Sequence, residues 1–484
     1  MHNPLLLVLQ NPPKNVLAEE DNPIYFLFSS IFNKFLKIFY FCCFTYFTIL
    51  QSQTSSDAIR LFENEKGFGT YAIGLGSAYS GLSNDYSSIY WNPAGLSSIK
   101  KSTLSIEFNN NYFKNNTNFL NNTFKNSIND NYLNSLGGTY SVPTTRGSLV
   151  FAFAFNNIGD YNYKSNFSGF SNNDNNLFFP IIIGNEEVNY FFNQNVFREE
   201  KISSTGKISQ ISFGFGILIS KKTSFGLSIN SINNQENYSF QFDQNDLNDN
   251  FNIFPADFLS YSLNQSLELR ARGNKITFGF LTKLTSHLNT GFSINLPFNY
   301  NVNEKHISKE ILTFDDNSFS DTTLVGNYNY IVKAPYNLDY GISFKMKSLL
   351  FSSSIKVQNW SNIRLKDKSK SENNYIEENL AISNNYQSTL QLNLGMSYEF
   401  KFNNFKASLI LGHSIIPSFY KFDNSKKQNS ISSGFSLNFK DDLIINFSTN
   451  NTNWELFTTD SYMPSGTIES IDKTIHSISL IVEI

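Results

Sequence analysis

The chain is short of charge, of cysteine and of long apolar runs, and each shortage removes a class of protein. Only 16% of its 484 residues are charged, where a soluble domain carries about 25%. The net charge is -3 and no long run of like sign occurs, so nothing suggests nucleic-acid binding, which needs a basic stripe. The two cysteines, Cys42 and Cys43, are adjacent and sit in an apolar leader, so no disulfide framework is expected in the mature chain. No GxxxxGK[ST] pattern is present, which removes the phosphate-cradling loop. After residue 53 no stretch of about 18 apolar residues occurs, so no helix is expected to span a membrane.

Catalytic chemistry is equally thin. A nucleophile needs a base within reach, and His287, His306, His413 and His476 have no sequence neighbours that make a dyad or a metal cluster. Asp315-Asp316 and Asp441-Asp442 read as loop or turn carboxylates. No enzyme, no cofactor and no metal site is expected.

What the chain has is phenylalanine. Aromatics make up 16%, with 49 Phe and 25 Tyr, yet mean hydropathy is only -0.28. Strands that alternate apolar and polar residues reconcile the two, with one face in lipid and the other in a lumen. Leu149-Val150-Phe151-Ala152-Phe153-Ala154-Phe155 puts Phe on one face and small residues on the other. Ser212-Phe213-Gly214-Phe215-Gly216 and Thr277-Phe278-Gly279-Phe280 set large outward residues against inward glycines. Ile478, Leu480, Val482 and Ile484 alternate to the end, with His476 on the same face.

The spacing of the breaks is more specific than composition. Tight turns are expected at 143–147, 221–223, 286–289, 347–348, 403–404 and 440–442. Long polar connections are expected at about 114–132, 158–205, 242–272, 305–325, 362–385, 418–427 and 454–470. Short and long alternate, as in outer-membrane barrels with short periplasmic turns and long external loops. The expected fold class is all-β: an antiparallel transmembrane barrel of about 14 strands.

Three regions follow. Residues 1–53 form a leader. Lys34 and Lys37 precede the apolar run Ile38–Leu50, and Gln51-Ser52-Gln53-Thr54 suits cleavage, which reads as a signal peptide over 34–53. The proline-bearing stretch before it reads as a misassigned start. Residues 101–484 are the barrel. Residues 54–100 are dense in glycine and alanine, without a clear period, and suit compact folding inside something else. A short helix is expected from Ser56, capped by that serine, and another after Pro93.

Gly74-Leu75-Gly76-Ser77-Ala78-Tyr79-Ser80-Gly81, Asp85 and Tyr90-Trp91-Asn92-Pro93-Ala94-Gly95-Leu96 together resemble the hatch signature of the FadL/TodX-type outer-membrane transporters of long-chain fatty acids and aromatic hydrocarbons. Further likeness lies in Gly273 to Pro297, in Gln358-Asn359-Trp360-Ser361 and in Gly412 to Pro417. The chain departs from the outer-membrane pattern at its last residue, Ile484, where an aromatic is usual.

The resemblance implies an N-terminal hatch plugging a barrel in the outer membrane. It implies passive passage of a hydrophobic small-molecule ligand from external loops to a lateral opening where one strand kinks. Gly74, Gly76, Gly81, Asp85, Asn92, Pro93 and Ala94 would shape the hatch. Phe178, Phe179, Ile181 and Phe191, in the longest expected loop, are candidates for ligand capture. Expected partners are membrane lipid, the ligand and the barrel-assembly machinery. The rival reading is a non-transporting barrel that partners a protein secretion or surface-attachment system, as relatives with a Trp-Asn-Pro-Ala element do; Trp91 fits that branch.

Overall fold

The structure is a computed structural model. It describes residues 54–484 apart from 184–185, 253–256, 369–374, 423–425 and 440–441; the side chains of 179–187 are also outside the description. The leader with Cys42 and Cys43 therefore lies outside the described residues.

Alternation becomes strand from residue 103 to the end. In chain order the strands are β1 (Thr103–Phe119), β2 (Asn122–Val142), β3 (Leu149–Asp160), β4 (Tyr163–Ser171), β5 (Phe178–Ile183), β6 (Glu186–Phe191), β7 (Val196–Leu218) and β8 (Thr223–Asn245). There follow β9 (Phe258–Lys283), β10 (Leu288–Asn295), β11 (Asn299–Phe314), β12 (Phe319–Lys333), β13 (Asn337–Met346), β14 (Leu349–Asn359) and β15 (Arg364–Asp367). The last are β16 (Ser388–Lys401), β17 (Phe405–Ile416), β18 (Gln428–Phe439), β19 (Leu443–Thr458) and β20 (Thr467–Glu483). β5 and β6 form a separate hairpin. The pairs β3/β4, β10/β11, β12/β13 and β14/β15 are each one stave broken in two, so the main sheet has 14 staves. β1 pairs with β20, from Thr103↔Glu483 to Asn118↔Ile468, and the ring closes. Closure removes the sheet edges that would otherwise need covering.

The short turns fall where the sequence places them, between β2 and β3, β7 and β8, β9 and β10, β13 and β14, and β16 and β17. The sixth, at 440–442, is flanked by β18 and β19 as expected, although 440–441 lie outside the described residues. The long loops are a correction. Polar stretches expected as loops are mostly strand: β1 and β2 run on to a two-residue turn at Leu120-Asn121, and β11 and β12 meet across residues 315–318. The connections after β8 and β19 shrink to 246–257 and 459–466. Polar residues make up most of the outward face there, while Phe240 and Phe242 of β8 and Tyr261 and Leu263 of β9 point inward, so the ladder continues without an apolar outer band.

On the lower part of the ring the outward residues are apolar and exposed: Leu104 and Phe108 on β1, Phe151 and Phe153 on β3, Phe213 on β7, Leu409 and Leu411 on β17, Ile478 and Leu480 on β20. Such a band on a closed ring fits the hydrocarbon of a bilayer, where every backbone polar group must be satisfied within the sheet. Among the described residues no helix is long and apolar enough to cross a membrane.

The inward face is small and polar low in the ring, and this is what admits residues 54–100. These fold as α1 (Ser55–Glu63), α2 (Thr70–Gly74), α3 (Ser88–Trp91) and a 3-10 turn, Pro93–Ser98. Thr54, not Ser56, caps α1: Thr54 and Asp57 form a reciprocal capping box. Pro93 opens the 3-10 turn as expected.

Candidate functional site

The segment 54–100 is seated by backbone-to-backbone contact. The inward glycines of the wall, Gly216, Gly226, Gly279, Gly291, Gly341, Gly395 and Gly412, each face its main chain or Asn92 where a Cβ would stand. A Cβ on Gly412 would fall on the Gly76 nitrogen, and one on Gly226 would fall on the peptide between Pro93 and Ala94. Gly76 has φ +63, a conformation that also favours glycine. Gly74 packs on Ser448 and Ile410, and Gly81 lies against the Gly341 backbone.

Asn92, fully buried, is the polar hub. Its Nδ2 donates to the carbonyls of Ser80 (2.8 Å) and of Phe280 in β9 (3.0 Å), and its Oδ1 accepts from Ala94 N at 3.2 Å. Asp85 is the acceptor of a local turn, taking bonds from Ser87 N (2.8 Å) and Oγ (2.6 Å). Burial raises its carboxyl, against the lowering effect of the Ser87 bonds. Trp91 donates to the Phe68 carbonyl at 2.8 Å.

Charge ties the segment to the wall as well. Lys275 of β9 meets Glu65 at 2.7 Å, Lys426 meets Glu63 at 2.9 Å and Arg60 meets Glu236 of β8 at 3.2 Å. Burial alone would raise Glu65, but the Lys275 ammonium holds it down at about 2. Lys66 is lowered to about 8, first by burial and then by the like charge of Lys473. None of these ties was anticipated from the sequence. A signal existed: Lys275 has inward parity within the apolar belt, beside outward Ile276.

One seam of the wall is incomplete. The β2–β3 ladder runs from Val142↔Leu149 to Ser135↔Asn156 and stops. At Asp160-Tyr161-Asn162 the stave breaks, and β4 pairs with β7 alone. It crosses the lumenal face of β1: Thr117 and Ser165 hydroxyls meet at 3.1 Å, Asn115 donates to the Lys164 carbonyl at 3.1 Å, and the Phe119 and Phe167 rings lie 5.0 Å apart. The upper half of β2 is left without a ladder partner on that side among the described residues. The segment crosses below the break: Lys66 N and Gly67 N donate to the Ile158 carbonyl at 2.6 and 3.0 Å. Asp160, at the break, is bound by the Lys473 ammonium of β20 at 2.7 Å, both buried.

A cavity of about 110 Å³ lies between the segment and the wall. Phe62, Tyr90 and Trp91 face it from the segment, Trp360 and Phe419 from the wall; the last two stack at 4.6 Å. Lys66, Lys356 and Lys473 also line it. Above, the outer half of the lumen is filled by a second cluster that includes Phe192, Phe242, Phe258, Tyr261 and Tyr462. Fully buried Arg198 stands beside it, its Nε donating to Gln244 at 2.9 Å.

The external candidates are only partly brought together. Phe178 and Phe191 are ladder partners in the β5–β6 hairpin, with rings 5.4 Å apart, and Phe191 is exposed. Phe179 and Ile181 pair with Tyr190 and Val188, but their side chains lie outside the described residues. Among the described residues no group of three side chains that could hold a metal occurs.

No protein-family model matches the sequence. No curated protein matches it either. Solved structures do. The P. putida toluene transporter TodX is similar at 13% identity, over 87% of this chain and 99% of that one, with a TM-score of 0.59. A Pseudomonas aeruginosa FadL homologue is similar at 12% identity, over 87% and 99%, with a TM-score of 0.53. The Ralstonia pickettii toluene transporter TbuX is similar at 13% identity, over 87% and 99%, with a TM-score of 0.51. At such identities the likeness concerns the fold: this chain has the 14-stave barrel fold of FadL/TodX-type transporters. With its apolar outer band, that is a multi-pass barrel of the outer-membrane kind.

Proposed function

We propose that the chain is a passive outer-membrane transporter for hydrophobic small molecules, with residues 54–100 as its plug. The observation that carries this reading is the seam where β2 loses its partner, beside a break held by Asp160 and Lys473 and close to a cavity faced by aromatic rings. A greasy molecule gains nothing from an aqueous exit. A sideways route from the lumen into the bilayer keeps it out of water and needs no energy source. Capture at the external hairpin, passage through the lumen and exit at the seam follow in that order. The neighbours in fold are channels for toluene and other monoaromatic hydrocarbons, or a FadL homologue; long-chain fatty acids and aromatic hydrocarbons are the substrates to try.

The test is uptake of labelled oleate and labelled toluene by cells with and without the protein. Faster uptake of either supports the reading, and equal uptake of both by the two strains removes it. A second reading has one observation in its favour: the cavity is small and lined by four lysines and four carboxylates as well as rings. This suits a barrel that partners a secretion or surface-attachment system. Copurification of a surface protein, with uptake unchanged, would select it.

A further inference from the structure

We propose that the outward face of β9, β11, β12 and β15 binds the phosphates of an outer-leaflet lipid. The register sets the site. Residues opposite one another in an antiparallel ladder share a face. Arg272 lies between Asn233 of β8 and Asn301 of β11, Asn301 is opposite Ile331 of β12, and Ile331 is opposite Lys366 of β15. Arg270 is two residues further up, Lys305 is opposite Glu268, and Lys333 is opposite Arg364. Six cations, Arg270, Arg272, Lys305, Lys333, Arg364 and Lys366, thus share one outward patch, and Glu268 is the sole carboxylate among these paired positions.

Height places the patch at the headgroups. Ile276 ends the apolar run on β9's outward face, and Asn274, Arg272 and Arg270 follow on the same parity. A strand rises about 3.3 Å per residue. At a tilt of about 40° that is about 2.5 Å along the membrane normal, putting Arg272 about 10 Å and Arg270 about 15 Å above the last apolar residue. Lys333 and Arg364 sit one row lower. Water-facing lysines above a bilayer need no partner. Cations at this depth face the phosphate layer, where anionic lipid attracts them.

The patch is also local. On the far side of the ring the equivalent outward positions are Asn110, Tyr112 and Lys114 of β1 with Thr474 and Asp472 of β20, and Lys114 is directly opposite Asp472. Elsewhere on the ring the outward cations Lys201 and Lys207 are paired, with Glu199 and Asp130. Among the described residues Arg270, Lys305, Lys333 and Lys366 form no ion pair. Arg272 has only Asn233 Oδ1, at 3.3 Å. Arginine's planar fork suits a phosphate held in two places. The inference does not depend on whether cargo crosses the barrel.

The test is native mass spectrometry of the full chain in non-ionic detergent, titrated with diphosphorylated lipid A. The same glycolipid without its phosphates and inorganic phosphate alone are the control arms. The expected result is a lipid A adduct that the dephosphorylated glycolipid does not form. The triple variant Arg270→Gln/Arg272→Gln/Lys366→Gln should weaken it by about a hundredfold, while Lys114→Gln leaves it unchanged. Equal binding by the triple variant, equal binding of the dephosphorylated glycolipid, or displacement of the lipid by equimolar inorganic phosphate would each overturn the proposal. If the triple variant does not fold, Arg272→Gln and Lys366→Gln singly should each weaken the adduct by about fivefold. No loss in either refutes it.

Discussion

The Lys275 ammonium, on the inward face of β9, lies 2.7 Å from the Glu65 carboxylate of the inner segment, and both are largely withdrawn from water. Removing one partner of such a pair leaves the other buried and alone, at a cost of about 3–5 kcal/mol. Lys275→Ala should therefore loosen the segment without opening the ring. Limited proteolysis should cut between residues 54 and 100 in the variant, while heat-modifiable gel mobility stays that of a closed barrel.

The same pair sets a pH dependence. Glu65 is held at about 2 in the fold against an ordinary value of 4.5. Its contribution is complete above 4.5 and is lost as pH falls from there towards 2. Lys66 works the other way: the fold holds it at about 8 against 10.5, so the released segment binds the extra proton and seating strengthens as pH rises from 8 to 10.5. Hydrogen exchange of residues 54–100 at pH 3, 7 and 9 should show protection increasing in that order. Greatest protection at pH 3 would contradict the assignment.

Adding a methyl group at the seats should act more strongly than its size suggests. At Gly412 and Gly226 the new atom would meet peptide backbone, which has no rotamer to swing away. Gly412→Ala and Gly226→Ala should each displace the segment, by an overpacking cost of about 1–3 kcal/mol. Gly147, whose nearest neighbour would lie 3.5 Å from such a Cβ, is the control for space. Its φ of +83 makes a small cost from backbone strain expected there. Vancomycin sensitivity of intact cells reads out an unstoppered bore.

Asn92→Leu keeps the branched four-atom skeleton, adds bulk, and removes three hydrogen bonds at a fully buried position. Two carbonyls and one amide are left unpaired, at about 1–3 kcal/mol for each group that water cannot reach. Thermal unfolding should move down by several degrees, and Asn92→Asp should not rescue it, because a carboxylate cannot donate to the Ser80 and Phe280 carbonyls.

If the β5–β6 hairpin captures ligand, the double variant Phe178→Ser/Phe191→Ser should raise the concentration needed for half-maximal uptake several-fold. The maximal rate should hardly change, since the lumen is untouched. A fall in maximal rate at unchanged half-saturation would place these rings elsewhere in the path.

How much of this was legible beforehand differs by element. The ring was, because a period of two and the alternation of short with long breaks are properties of the sequence itself. Phe213 and Gly214 show why: lipid selects one face and close packing the other. The upper staves were not. Asn and Ser alternate there without an apolar partner, so β1 beyond residue 114 reads as loop although it pairs through Phe119. Asn92, Pro93 and the segment glycines stand out in the sequence by their pattern. Lys275, Asp160 and Lys473 do not, since their importance comes from what lies across the lumen, hundreds of residues away.

The seam between β1 and β20 joins the first and last strands in sixteen consecutive residue pairs. Residues 54–100 directly precede β1 and end up surrounded by the other staves. Closing that ladder with the segment already inside avoids threading it through a finished hoop, and we expect the last strand to pair after residues 54–100 are seated.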